Sequence, residues 1–126
     1  MASLSDATGV EAMHDLIETA FRAIEMGDHD VLETCLHPDV TYRRPGVKVL
    51  SGRDEVMNWY RRERVALTSR ILMDEVVAEG DRAVVLGMVE GRGRDGAPIH
   101  ERFADAYAFE DGLIRDRTTY FFRHGF

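Results

Sequence analysis

The first part of the chain has the hydrophobic spacing of helices. From Gly9 onward, apolar residues recur at three- and four-residue intervals, namely Val10, Met13, Ile17, Ala20, Phe21 and Ile24. This spacing predicts one amphipathic helix. Gly27 suits the left-handed residue that ends such a helix, and Asp28 suits the N-cap of a second one. The second helix is predicted to end at His37-Pro38, because proline cannot continue a helix.

The remaining pattern predicts a short strand, a third helix and then a run of strands. The strand covers 40–42 and leads into a turn at 44–46, and the helix begins at 51–54. Beyond residue 69 the hydrophobic period drops to two. Four further strands are predicted over 71–78, 83–89, 99–109 and 113–123. The Asp-Gly pairs between them are hairpin signals. Helices followed by a strand meander predict a single α+β domain over residues 1–126, with residues 1–8 flexible.

The predicted strand over 99–109 has two chemically different faces. One face carries large and acidic side chains: Ile99, Glu101, Phe103, Asp105, Tyr107 and Phe109. The other face carries His100, Arg102, Ala104, Ala106 and Ala108. We expect the first face to meet the helices, because successive strand residues point to opposite sides. The alanine face fits either a contact with a second copy, giving a homodimer, or an exposed face of low relief.

Composition narrows the choice of partners. The chain has 126 residues, enough for one core, and a net charge of −7, which disfavours nucleic-acid binding. The only cysteine, Cys35, excludes an intrachain disulfide and is predicted to be a buried core residue. No signal peptide or membrane span is apparent, so a cytoplasmic protein is expected. Lys48 is the only lysine beside many arginines, which suggests a GC-rich bacterial genome.

Several motifs together resemble a known superfamily. They are Glu25-Met26-Gly27-Asp28, Leu36-His37-Pro38-Asp39-Val40, Ser51-Gly52-Arg53-Asp54-Glu55-Val56 and the stretch from Asp105 to Ile114. In this order they resemble the SnoaL-like members of the nuclear transport factor 2-like superfamily. The resemblance implies a cone-shaped domain with three N-terminal helices packed on a curved antiparallel β-sheet. It also implies a small-molecule pocket between the helices and the concave side of the sheet.

The resemblance identifies the fold better than the reaction, because this fold hosts many activities. Of the three groups that steroid isomerases use, only one position keeps a carboxylate, Glu101, while Arg44 and Ala20 stand at the other two. The Asp-Arg-Asp set of limonene-epoxide hydrolases falls near Met88, Leu86 and Thr119, and none of these keeps the required group. The SnoaL-like cyclases use an acid/base aspartate, a role open to Asp105 or Glu101.

The resemblance implies a set of pocket residues. Asp105 and Glu101 are the predicted catalytic pair. The predicted substrate-binding residues are Tyr42, Arg44, Trp59, Phe103, Tyr107, Arg117, Thr119, Phe121 and His14. A three-residue loop at 110–112 would place Asp105 opposite Arg117, and the resemblance favours that register. A two-residue turn would instead place Thr118 opposite Asp105.

The two carboxylates allow a division of labour. Asp105 beside Arg117 would act as a base or orient the substrate, whereas Glu101 has no obvious cation and would act as the acid. The structural alternative is that Asp105 and Arg117 form an ion pair in the core and that Glu101 lies at the edge of the sheet.

Three functions therefore remain open. The first is a cofactor-independent cyclase, isomerase or dehydratase acting on a small apolar metabolite, plausibly in secondary metabolism. The second is a non-catalytic ligand-binding or dimerisation module, and the third is an epoxide-opening hydrolase or cyclase. No metal-ligand spacing or cofactor motif is present, so neither a metal nor a cofactor is predicted.

Overall fold

A computed structural model describes residues 2–64 and 66–123 of the chain. Helix α1 spans Ala2–Met26 and helix α2 spans His29–Cys35. The turn between them is as predicted, because Gly27 has a φ of 67° and the Asp28 side chain accepts a hydrogen bond from the Val31 N–H at 3.2 Å. Helix α1 begins seven residues before Gly9, where the apolar stripe starts, so that predicted boundary is wrong. The flexibility of 1–8 stays a prediction, and Met1 lies outside the described residues.

Strand β1 spans Leu36–Arg43, so His37 and Pro38 lie within a strand rather than at the end of a helix. Helix α2 has already ended at Cys35. Proline is tolerated here because the pairing of β1 with its neighbour is irregular between Leu36 and Thr41. A two-residue strand β2, Leu50–Ser51, follows and was not predicted. Helix α3, Arg53–Asn58, continues directly into a π-helical turn, Trp59–Glu63.

Three of the four long strands run further than the sequence pattern predicted, and the last one ends two residues earlier, at Phe121. Their bounds are β3 Ala66–Glu79, β4 Arg82–Gly93, β5 Pro98–Glu110 and β6 Leu113–Phe121. The six strands form one sheet in the order β2-β1-β6-β5-β4-β3. All neighbours are antiparallel except β1 and β6, which are parallel. The prediction of a wholly antiparallel sheet is therefore wrong. A parallel pair needs a long crossover, and the chain between β1 and β6 supplies it.

The hairpin between β5 and β6 has a register that neither sequence alternative contains. Its turn has two residues, with φ of 56° at Asp111 and 72° at Gly112, as a type I′ turn requires. The pairing then shifts by one at a bulge beside Ala108. As a result Asp105 pairs with Thr119 and not with Arg117 or Thr118.

The predicted faces of β5 are confirmed. All six large and acidic residues from Ile99 to Phe109 are buried, while the alanines are half-buried on the other side. Helix α1 covers the inner face with a stripe that includes Ile17 and Phe21, both fully buried. Cys35 is also buried, and burial raises the pKa of its thiol. Within the described residues, no helix is both long and apolar enough to cross a membrane.

Candidate active site

A small pocket opens between α1, the π-helical turn and the inner face of the sheet. Its apolar walls are Phe21, Ile24, Ile71, Val89, Phe103 and Phe121. Its polar lining consists of three arginines and three hydroxyl groups: Arg44, Arg64, Arg117, Tyr42, Tyr60 and Thr119. No carboxylate is among these twelve side chains. The pocket is thus an apolar chamber with a cationic, donor-rich lining.

Asp105 lies beneath this pocket and does not line it. Its side chain has no solvent exposure. Arg117 donates from Nε to Oδ2 at 2.9 Å and approaches the same oxygen with Nη2 at 2.8 Å, and the Tyr107 hydroxyl donates to it at 2.9 Å. Thr119 donates to Oδ1 at 2.6 Å. The carboxylate is therefore committed to holding Arg117, Tyr107 and Thr119 in place.

The direction of the hydrogen bonds follows from the number of protons. Thr119 has one hydroxyl proton and gives it to Asp105, so the Tyr42 hydroxyl must be the donor in its 3.0 Å contact with Thr119. Arg44 Nη1 lies 3.4 Å from the Tyr42 oxygen on the other side. The resulting chain leads from Arg44 through Tyr42 and Thr119 to Asp105, and every donor in it points toward the carboxylate.

Arg117 is held on several sides. Besides its contacts with Asp105, it donates from Nη1 to the Tyr60 hydroxyl at 2.6 Å. Its guanidinium lies 4.6 Å from the centroid of the Tyr42 ring. Burial alone would lower the pKa of Arg117, but the charge of Asp105 opposes it and the pKa is raised well above its usual value. Arg117 is therefore a fixed positive charge at the floor of the pocket.

Tyr60 lines the pocket and was not among the predicted site residues. The π-helical turn places its ring against the pocket, where it stacks with Tyr42 at 6.3 Å between centroids. Burial raises the pKa of Tyr60 to about 12, against the opposing charge of Arg117. Tyr60 thus keeps its proton at neutral pH. No sequence signal distinguishes a π-helical turn from a regular helix, so only its position next to Trp59 could have suggested it.

Arg44 and Arg64 complete the cationic lining. The Arg44 guanidinium lies between two rings, 4.8 Å from the Trp59 centroid and 5.2 Å from the Phe121 centroid. Arg64 donates to Ser69 at 2.6 Å, and burial lowers its pKa. Phe121 lines the pocket, whereas Trp59, predicted as a substrate-binding residue, lines neither cavity and contacts the lining residues Arg44 and Tyr42.

Three predicted site residues lie elsewhere. Glu101 is buried but lines no described cavity, and its Oε2 lies 3.6 Å from Arg123 Nε. The expectation that no cation lies near Glu101 is therefore wrong. Arg123 lies two residues beyond the end of β6 and reaches the Glu101 carboxylate. His14 lies on the exposed side of α1, with Nδ1 3.9 Å from Glu18, so its predicted access to the pocket is wrong. Tyr107 lines a second, smaller cavity that shares Tyr42, Tyr60 and Arg117 with the first.

The main pocket is narrow. It offers a volume of about 40 Å³, and the second cavity about 20 Å³. A water molecule needs roughly 10–15 Å³ measured in this way, whereas pockets for drug-sized ligands span about 300–1,000 Å³. In this conformation the pocket admits a few waters. A metabolite would enter only after partly exposed lining side chains such as Phe121 and Arg64 turn outward.

His37, Glu110 and Asp111 form the one cluster of potential metal ligands found among the described residues. The Asp39 N–H donates to His37 Nδ1 at 3.0 Å, so a neutral His37 carries its proton on Nε2. That nitrogen lies 3.2 Å from Glu110 and donates to it. The His37 ring therefore donates a hydrogen bond to the turn between β5 and β6. In this tautomer Nε2 carries the proton, so it has no lone pair for a metal ion.

The sequence profile of the SnoaL-like domain matches residues 8–117, and the chain belongs to this family. No functionally curated protein matches the chain in sequence. The family explains the pocket between helices and sheet. Asp105, which the resemblance suggested as an acid/base group, is not among the residues that line the pocket.

Solved structures show the same fold at low sequence identity. A nuclear transport factor 2-like protein from Burkholderia pseudomallei is 23% identical, covers 87% of this chain and 90% of its own, and superposes with a TM-score of 0.79. An epoxide hydrolase of the limonene-epoxide hydrolase type from Mycobacterium tuberculosis is 17% identical, with coverages of 90% and 81% and a TM-score of 0.75. TerC, crystallized with polyporic acid, is 20% identical, with coverages of 87% and 91% and a TM-score of 0.76.

The three positions that the resemblance compared with an Asp-Arg-Asp set do not form such a set in the structure. Leu86 is exposed and Met88 is half-buried, and both point to the face of β4 away from the pocket. The inward residues of β4 are Ala83, Val85, Gly87 and Val89. None of them can ionise. Thr119 does reach the pocket, but its proton is already given to Asp105.

Proposed function

We propose that the protein is a cofactor-independent enzyme that acts on a small, mostly apolar metabolite in the pocket lined by Arg44, Tyr60 and Arg117. The observation that carries this proposal is the buried polar network on the floor of an otherwise apolar chamber. Burying charges costs several kcal/mol per ion, and hydrophobic replacements are often at least as stable. Such a network is a reasonable mark of a functional site.

The proposed reaction is of the cyclase or isomerase type, in which a carbonyl oxygen gains negative charge. Arg117 and Tyr60 would stabilise that oxygen, and Tyr60 would supply the proton to it, while a water in the pocket would accept the proton that leaves the substrate carbon and return one to Tyr60. Asp105 would act as a positioning residue that fixes Arg117, rather than as the acid or base. Glu101 would be a more distant carboxylate, since it lines no described cavity. A dehydratase or an epoxide-opening reaction would use the same donors on a different leaving oxygen.

The second candidate is a non-catalytic ligand-binding module. One observation favours it, the pocket volume of about 40 Å³. A further point is the lack of a carboxylate or histidine among the twelve lining residues, which leaves no evident base there.

The deciding experiment is a ligand screen followed by an assay of turnover. Ile24 and Ile71 line the pocket, so their labelled methyl groups report binding by NMR. Compounds that shift both methyls are then incubated with the protein and followed by mass spectrometry and NMR. We expect turnover that falls by roughly a hundredfold or more in Tyr60→Phe. The exposed Tyr120→Phe is the matched control.

Binding without turnover would reject the enzyme and support the ligand-binding module. Turnover that survives in Tyr60→Phe would reject the proposed proton donor while keeping the enzyme. If no small apolar compound shifts either methyl, both candidate functions fail.

We also propose that the chain forms a homodimer through the outer face of the sheet, as an intracellular protein of the cytoplasm. Ala104 and Ala106 on β5 lie beside the exposed residues Leu86 and Val84 on β4, which together make a low apolar surface. Exposed Tyr120 extends it on β6. Sedimentation should give a dimer at micromolar concentrations and a monomer for Ala106→Arg. A wild-type monomer at 100-fold higher concentration would exclude the dimer.

A further inference from the structure

We propose that the natural ligand of the pocket is an organic anion, an apolar ring or chain that carries one carboxylate or enolate head, held by Arg44, Arg64 and Arg117. This inference rests on the proposed function, because it names the class of molecule that would occupy the same site. It goes further by excluding neutral and cationic metabolites of the same shape.

The first argument is the charge of the lining. Three guanidinium groups line the pocket, and no carboxylate does. Asp105 offsets one of the three charges from below, through its ion pair with Arg117. Arg64 is half-buried and burial lowers its pKa, so an incoming anion would stabilise its charged form.

The second argument is the supply of hydrogen bonds. Arginines only donate, and the Tyr60 oxygen already accepts a hydrogen bond from Arg117, so the Tyr60 O–H can donate to a ligand. The Tyr42 and Thr119 hydroxyls direct their protons toward Asp105. The pocket therefore offers donors, and its ligand must supply acceptors.

The third argument is the geometry around Arg44. Its guanidinium carbon lies 4.8 Å from the Trp59 ring centroid and 5.2 Å from the Phe121 ring centroid, so two aromatic contacts hold its planar set of N–H groups at the pocket. A planar fork of this kind matches a carboxylate or an enolate better than a lysine would. The aromatic and aliphatic walls then favour an apolar body on the ligand.

The test uses three molecules of nearly the same shape and different charge: benzoate, benzamide and benzamidine. Each is titrated into the protein, with calorimetry for affinity and the Ile24 and Ile71 methyls for location. We expect benzoate to shift both methyls and to bind at least roughly tenfold more tightly than benzamide, because charge-assisted hydrogen bonds are about twice as strong as neutral ones. Benzamidine should not bind at the pocket.

Substitutions of the arginines test whether these side chains cause the tighter binding of benzoate than of benzamide. Arg44→Gln and Arg64→Gln should each weaken benzoate by roughly tenfold and leave benzamide within a few-fold. Arg44→Lys, which keeps the charge and loses the planar fork, should fall between Arg44→Gln and the wild type. Arg62→Gln is the matched control, since Arg62 is exposed and does not line the pocket. Melting temperatures show whether each variant is folded.

The outcomes separate the two proposals. If benzamide shifts the pocket methyls and binds as well as benzoate, the anion inference is overturned and the proposed function stands. The inference is also overturned if benzoate affinity survives in the folded Arg44→Gln and Arg64→Gln variants. If none of the three probes shifts the methyls while other apolar compounds do, only the inference fails. If nothing shifts them, the proposed function fails as well.

Discussion

The inner and outer faces of β5 alternate along the same thirteen residues and meet opposite surroundings. On the inner face, Asp105 is fully buried with charged and hydroxyl partners at every contact. On the outer face, Ala104 and Ala106 present little more than backbone. The difference teaches that a single strand can carry a buried, hydrogen-bonded polar site on one face while its other face carries only small side chains with no polar group to satisfy.

A substitution at Asp105 should cause the largest loss of stability on the inner face of β5. Asp105→Ala would leave Arg117 buried without its counter-charge, and losing one partner of a buried pair typically costs about 3–5 kcal/mol. We expect that loss in the free energy of unfolding, measured by denaturant titration. Ala106→Ser, the next residue on the opposite face, is the control and should change stability by less than about 1 kcal/mol. Equal losses would mean that the Asp105 network contributes nothing special.

Buried Tyr60 and exposed Tyr120 should differ in their effect on how the free energy of unfolding depends on pH. The folded pKa of Tyr60, about 12, lies above the ordinary tyrosine pKa of 10.0, so the folded state holds the proton more tightly. The associated stability is present below pH 10 and is lost as pH rises toward 12, by up to about 3 kcal/mol at 1.36 kcal/mol per pKa unit. Unfolding measured from pH 9 to 12 should show a shallower alkaline loss in Tyr60→Phe. The exposed Tyr120→Phe should keep the wild-type slope, and identical slopes in all three proteins would contradict the burial of Tyr60.

Two adjacent valines compare the faces directly. Val85 is fully buried against the helices, and Val84 is exposed on the outer face. Val85→Ala should cost roughly 1–3 kcal/mol, because it removes buried methyl groups and leaves a cavity. Val84→Ala should cost less than about 1 kcal/mol in dilute solution. A concentration-dependent penalty for Val84→Ala alone would indicate that a second copy covers this face.

Glu101 gives the smallest expected effect. Its partner Arg123 is mostly exposed, and ion pairs with such a partner contribute about 0–1 kcal/mol. Glu101→Gln should therefore change the free energy of unfolding by less than about 1 kcal/mol. It should also leave turnover within a few-fold of wild type, measured on any substrate that the screen provides. A large loss of turnover with unchanged stability would restore Glu101 as a catalytic candidate.

Local signals explain what the sequence could predict. The period of two along β5 correctly separated its faces, and Gly27 with Asp28 correctly marked the turn between the first two helices. These features depend on residues close together in the chain. The ion pair between Asp105 and Arg117 was expected from a register that the structure does not have. The two side chains meet diagonally instead, because Asp105 pairs with Thr119, two residues beyond Arg117 on the same face.

The errors arise where the chain departs from regular geometry or pairs at long range. The bulge beside Ala108 moved Thr119 opposite Asp105, and no residue type announces such a bulge. The parallel pairing of β1 with β6 joins distant segments, for which a single sequence has no local signal. Tyr60 entered the site through a π-helical turn, and Arg123 reached Glu101 only because of where β6 ends.

The parallel contact between β1 and β6 has a consequence for how the protein forms. Tyr42 and Thr119 are hydrogen-bonded although they are 77 positions apart along the chain. Contacts of such long range slow folding, because the entropy of closing a large loop is lost before the contact is made. During synthesis, β1 leaves the ribosome long before its partner exists. The floor of the pocket can therefore be completed only after β6 has been made.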